Sequence, residues 1–287
     1  GAQRLLPLMQ QIYGNWSVVA GSHAALNDVV DLLDQPFPQY YFQNESQPLE
    51  IKDSFSVNKL SFRYNESSPW VLDDISFKIM KGSRIGLIGS TGSGKSTTLD
   101  LLMGLLEPTH GELMVDNMKI DDRSIRAWRQ TVAHVPQSIF LADTSIAENI
   151  AFGVAPENIN MPQVKDAAKK AMIDNFIESR PNGYSEVVGE RGVRLSGGQR
   201  QRIGIARALY KKANVIVFDE ATSALDNETE KVVMEAIRNL GEELTLIIVA
   251  HRLSTLENCT HIIELDQGKI LRIGSYDEII NHARSTS

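Results

Sequence analysis

The sequence predicts an α/β fold: a core of buried strands and helices, an antiparallel sheet flanking it, and a helical subdomain inserted into it. Three observations predict it. First, Arg84-Ile85-Gly86-Leu87-Ile88 reads as a short buried strand, and Thr97 to Leu106 reads as a helix stopped by Pro108. Between them lies Gly89-Ser90-Thr91-Gly92-Ser93-Gly94-Lys95-Ser96, which fits the phosphate-loop pattern Gly-x-x-x-x-Gly-Lys-Ser/Thr in its required strand–loop–helix setting. Second, Val215 to Phe218 and Thr245 to Ala250 are short runs of the kind buried strands carry. Third, Leu49 to Ile79 alternates in strand fashion, with Phe55, Val57, Leu60, Phe62 and Tyr64, then Val71, Ile75, Phe77 and Ile79.

Composition bounds the classes. The 287 residues suffice for one large domain or two small ones, and 42% hydrophobic with 23% charged residues is ordinary for a soluble globular chain. The net charge of −7 argues against nucleic acid as a partner, because binding a phosphate backbone needs a positive footprint. Cys259 is the only cysteine, so no internal disulfide forms, which fits a reducing compartment. No apolar run approaches the ~18 residues of a membrane span. The opening Gly1-Ala2-Gln3-Arg4 lacks the apolar core of a secretory signal, and a start at Gly reads as a cut from something longer. There is no internal repeat, low-complexity tract or His/Cys metal cluster.

In chain order, residues 1–35 read as helical. Leu5, Leu6, Leu8, Met9, Ile12, Tyr13 and Trp16 recur at helical spacing, and Ala24, Ala25, Val29, Val30, Leu32 and Leu33 continue it. Either this is an amphipathic helix packed on its own domain, or it is the tail of an upstream domain. Residues 36–48 read as a proline-rich linker, which leaves 49–287 as the main domain. Lys81-Gly82 turns the chain into the phosphate-loop strand, and Gly111 to Asn117 adds a strand and a turn. Val132 to Gln137 is a strand. Residues 138–200 then turn helical, with candidate helices from Ser145 to Phe152 and from Pro162 to Glu178. Leu195-Ser196-Gly197-Gly198-Gln199 opens an amphipathic helix, Arg200 to Tyr210. That turn is either a second anion site or simply an N-cap by Ser196. Further on come a helix from Glu228 to Leu240, a hairpin of His261–Leu265 and Ile270–Ile273 around Asp266-Gln267-Gly268-Lys269, and a terminal helix from Tyr276 to His282.

The chemistry follows from residue types. Glycines let successive amide N–H groups turn toward a phosphate, and a helix N-terminus adds positive potential. Gly89, Ser90, Thr91, Gly92, Ser93, Gly94, Lys95, Ser96 and Thr97 are therefore the expected nucleotide-binding set. Lys95 would reach the β- and γ-phosphates and the Ser96 hydroxyl would hold Mg²⁺. Asp219 and Glu220 end a strand, where ligands of doubly wound sheets sit. Asp219 is placed to orient Mg²⁺ through water and Glu220 to take a proton from an attacking water; the bland reading is a strand leaving for solvent. His251, at the end of another strand, could hydrogen-bond a γ-phosphate and Glu220 together, although a lone histidine there is usually structural. Tyr64 alone reads as a strand tyrosine that could fold over an adenine.

Taken in order, these pieces resemble the ATP-binding cassette of ABC transporters, from about Leu49 to the end. The resemblance rests on Walker A at Gly89–Ser96, a glutamine loop at Gln137 and the signature Leu195–Gln199. It rests equally on Walker B through Asp219 and Glu220, a D-loop at Ser223–Asp226 and a switch histidine at His251. It implies a P-loop, RecA-like core with an antiparallel β-subdomain and a helical subdomain at about 138–200. It implies that Tyr64 stacks on adenine. It implies that Ser96, Gln137 and Asp219 serve Mg²⁺, and that Glu220, His251, Lys95 and Gln137 serve ATP hydrolysis. Two cassettes would pair head to tail, so that Ser196, Gly197, Gly198, Gln199 and Asp226 close over ATP held by the other copy.

Glu190-Arg191-Gly192, Thr144 to Ile150 and Ala250 to Thr255 look like the exporter subgroup, whose cassette follows a membrane domain on one polypeptide. Residues 1–35 would then be the cytoplasmic end of that domain, and the cassette would lie at the cytoplasmic face of a membrane. The alternatives are a separate ATPase subunit of an importer, or a soluble ABC ATPase acting on DNA. The latter carries long coiled coils between loop and signature, and none is expected here.

Overall fold

The computed structural model describes residues 2–35, 47–221, 225–250 and 253–279. The chain divides into two units, Gly1–Glu45 and Ser46–Ser287. In the first, α1 (Ala2–Leu33) is one helix with Pro7 inside it, which removes one intrahelical donor. Residues 36–46 of the expected linker lie outside the described residues. Among the described residues no helix is long and apolar enough to cross a membrane.

The second unit opens with the alternating segment, which pairs as read. β1 (Ser54–Phe62) and β2 (Leu72–Met80) are antiparallel, with Phe55 opposite Ile79. β4 (His110–Val115) pairs with the other edge of β1, and β5 (Met118–Lys119) completes a four-stranded sheet ordered β2-β1-β4-β5. Gly111 faces the irregularity in β1 at close range. A Cβ there would stand 2.3 Å from the Lys59 carbonyl oxygen, so a larger residue would force the strands apart.

The second sheet is ordered β10-β9-β3-β8-β7-β6. Here β3 is Arg84–Gly89, β6 Val132–Val135, β7 Val215–Asp219, β8 Thr245–Val249, β9 His261–Asp266 and β10 Lys269–Gly274. β9, β3, β8, β7 and β6 run parallel, and β10 returns antiparallel to β9 as the predicted hairpin. Successive side chains enter two cores. Val215, Val217, Ile247 and Val249 join the core under the first sheet; Ile216, Phe218, Leu246 and Ile248 join the core under the helices. Burial on both faces is why these strands read as apolar runs rather than alternating ones.

The helices need corrections. α2 spans Lys95–Leu102, not Thr97–Leu106. Gly104 (φ 69°) stops it. The amide of Leu105 donates to Asp100 O at 2.8 Å and that of Gly104 to Leu101 O at 3.0 Å, a Schellman closure, so Pro108 plays no part. α3 (Ile125–Thr131) buries Trp128, whose Nε1–H donates to Leu102 O at 2.7 Å. In the inserted segment, α4 is Ile146–Ile150. The expected helix over 162–178 is two, α5 (Met161–Lys170) and α6 (Asp174–Glu178), broken at Met172 with φ 54°. α7 (Gly197–Tyr210) starts three residues earlier than read, and α8 is Asn227–Arg238. The terminal helix expected over 276–282 runs beyond the described residues, which end at Ile279.

Candidate nucleotide site

The loop between β3 and α2 has the conformation its glycines predict. Gly89 has φ 151°, and a Cβ there would stand 2.2 Å from Leu265 O and 2.5 Å from Ser93 Oγ, so only glycine fits. Gly94 (φ 100°) is the N-cap of α2 and supplies no side-chain cap. The first-turn amides, those of Lys95, Ser96 and Thr97, are thus open to an anion. Around Gly92 a Cβ would meet nothing within 4 Å, so this side of the loop is open. Ser90, Thr91 and Ser96 line the accessible side, whereas Ser93 and Thr97 are buried. The Lys95 side chain folds back across the loop, and Nζ donates to Gly89 O at 2.9 Å and Ser90 O at 3.0 Å.

Sheet register sets the acidic pair beside this loop. Asp219 pairs with Val249 on β8, and Val249 pairs with Leu87 on β3. Asp219 thus stands at the same carboxyl edge, two strand spacings (~10 Å) from β3. Burial raises the Asp219 carboxyl above its usual range. His134 opposes that shift, Glu220 and Asp100 add to it, and Lys95 opposes it. Glu220 follows with φ 49°, the left-handed region that a non-glycine residue enters only under constraint, and its amide donates to Val249 O at 3.1 Å. His251 lies outside the described residues.

Two residues here escaped the sequence reading. His134 on β6 stands among Asp219 and Asp100; burial lowers its pKa and both carboxylates raise it. Asp100 of α2 is raised by burial and lowered by His134. A lone strand histidine and a helix aspartate carry no motif; the pairing of β6 with β7 brings His134 toward Asp219, and α2 supplies Asp100.

Gln137 follows β6 and is exposed. The signature turn is a second cluster. Ser196 does cap α7: its Oγ accepts from the Gln199 amide at 3.3 Å, and Gln199 Oε1 accepts from the Ser196 amide at 2.8 Å. Ser196 is nevertheless exposed. Gly198 lets α7 meet α8, since a Cβ there would lie 1.9 Å from Thr229 Cγ2. Leu225 lies 3.1 Å from where a Gly197 Cβ would be. Asp226 caps α8, accepting from the Thr229 amide and hydroxyl, and those bonds hold its carboxyl below the usual range. Tyr64 is not the strand tyrosine of the sequence reading: it lies in the bend just past the end of β1, exposed, its ring edge-on to Phe62 at 5.0 Å.

A family model described as ABC transporter matches residues 72–223, more than half of the chain. The chain belongs to the ABC transporter family.

Other comparisons refine this. An ATP-dependent lipid A-core flippase of Alkalilimnicola ehrlichii is 39% identical over 279 residues, 97% of this chain and 47% of that protein. ABC transporter B family member 13 of Arabidopsis thaliana is 43% identical over 230 residues, 80% of this chain and 18% of its own. Among solved structures, a bacterial Atm1-family ABC exporter with ATP bound superposes with a TM-score of 0.78 at 32% identity, covering 93% of this chain and 46% of that one. This is an ABC ATP-binding domain of the exporter type, and the chain spans half or less of the length of these relatives.

Proposed function

We propose that this ABC domain binds ATP at its phosphate loop, hydrolyses it as one half of a head-to-tail pair, and powers export through a membrane domain. The observation that carries the reading is the sheet edge shared by the phosphate loop, Asp219 and Glu220. Loop amides and Lys95 hold the phosphates. Tyr64 offers an exposed face to the adenine. Glu220 orients the attacking water and accepts its proton, while Lys95 and His251 offset charge on the γ-phosphate.

Ser96, Gln137 and Asp219 offer only oxygen donors, which suits Mg²⁺. Among the described residues no group of three or more His, Cys, Asp or Glu is gathered for a metal. The ion would therefore rest on few side chains and otherwise on phosphate and water oxygens, and when bound it neutralises phosphate charge.

Ser196, Gly197, Gly198, Gln199 and Asp226 close over the ATP of the paired copy. Residues 1–35, the helix before the linker, continue into the membrane domain, and the cassette sits at the cytoplasmic face. The exporter superposition and the half-length match to a flippase support that arrangement.

The test is Glu220→Gln. Nucleotide binding should persist, turnover should fall at least ~10²-fold, and light scattering should report a dimer with ATP–Mg²⁺. Turnover near the parent rate removes Glu220 as the base. A monomer at saturating ATP means that pairing needs the membrane domain or a different chain.

A further inference from the structure

Gln201 sits in the second turn of α7, five residues beyond Ser196, with only 4% of its surface exposed. Its Nε2 donates to Gln137 O at 2.6 Å and lies 3.3 Å from Pro136 O. Its Oε1 is buried and accepts no hydrogen bond from the described residues. Reversing the amide would set that oxygen against two carbonyl oxygens, so the donor face is fixed.

The surroundings make the link stiff. A Cβ at Gly204, one turn on, would stand 2.5 Å from Ile139 Cδ1, so the segment after Gln137 lies flat on α7. Another turn on, Arg207 donates from Nε to Asn149 O at 3.0 Å and from Nη2 to Phe140 O at 3.1 Å. Carbonyls of residues 136, 137 and 140 are thus all held by the helix that the signature opens.

We propose that Gln201 is a positioning residue that ties the glutamine loop to the signature turn, so that displacement of one moves the other. This rests on the function proposed above. In a head-to-tail pair the signature meets the partner's ATP while Gln137 serves the chain's own. Gln201 is then a direct polar connection between the two nucleotide sites.

The experiment uses the full chain with Gln201→Met, which keeps the length and removes the amide. ATP turnover should fall roughly 10- to 100-fold with the ATP Kd little changed, the pattern of lost positioning. Gln201→Lys should restore most of the rate, because a lysine can serve two carbonyls as Lys211 Nζ serves those of Arg129 and Val132.

Amide exchange supplies a readout that a merely structural role would not move. In the Glu220→Gln chain, ATP–Mg²⁺ should slow exchange in both 196–199 and 137–140. With Gln201→Met added, only 196–199 should slow. Gln201→Asn, one methylene too short, should give the same split and serves if the methionine variant does not fold. Slowing of both segments in these variants, or unchanged turnover, overturns the proposal. No ATP-dependent slowing of 196–199 in the Glu220→Gln chain itself overturns the pairing of two copies of this chain, and the link falls with it.

Discussion

Lys95 spans its own loop, bonding the Gly89 and Ser90 carbonyls. An arriving phosphate exchanges these neutral acceptors for charged ones, and a hydrogen bond between charged groups contributes about 1.5–3 kcal/mol. Lys95→Ala should therefore weaken ATP binding by roughly 10- to 100-fold in a fluorescent-nucleotide titration. Unchanged affinity would remove Lys95 from the phosphates. Asp226 makes a pH prediction. Its folded pKa lies below its unfolded value near 3.8, so its contribution to stability is complete above that value and is lost as pH falls through the depressed one. Asp226→Asn should flatten the acid side of a urea-midpoint profile, and an unaltered profile would mean that the Thr229 bonds do not act on its titration. At this scale the loop residues were legible because they form a pattern with fixed spacing. The left-handed backbone of Glu220 was not, because strain at a non-glycine residue is imposed by neighbouring strands. His134 and Asp100 stayed hidden for a related reason: their meeting depends on strand pairing across distant segments.

Among the elements, α7 buries Ile203, Ile205, Ala206 and Ala208 in the core and also has bonds to main-chain carbonyls in and around it. Arg200 donates to Leu195 O, Arg202 to Met172 O, Arg207 to Asn149 O and Lys211 to Arg129 O. Acceptors on the backbone leave no side-chain signature, so no residue pattern announces these contacts. Gly204 is one point where α7 packs closely, against Ile139. Gly204→Ala gains helix propensity but presses on Ile139, and overpacking of this kind costs about 1–3 kcal/mol. Urea unfolding should show a net loss; a gain in stability would mean that Ile139 yields freely. The ends of helices were the least legible part. α2 stops at a glycine whose role depends on its own left-handed backbone, and Met172 divides α5 from α6 by the same means. Composition reveals a proline or a capping serine, but gives no warning that a methionine will adopt positive φ.

At the scale of the whole molecule, the class was legible because burial on two faces and burial on one leave different periods in the sequence. β7 and β8 read as apolar runs and β1 and β2 as alternation, and they end in different sheets. What no composition could supply is the order of strands in the second sheet. β3 lies between β8 and β9, with Arg84 opposite Leu246 and Ile85 opposite His261. That order has a consequence for synthesis. The first sheet draws its strands from a short span of chain and can close early, on the ribosome. The strand leading to the phosphate loop must wait, apolar and unpaired, until the distant β8 and β9 have emerged. The cell thus has an interval in which this edge is open to aggregation or to a chaperone, and nucleotide can be bound only after it ends.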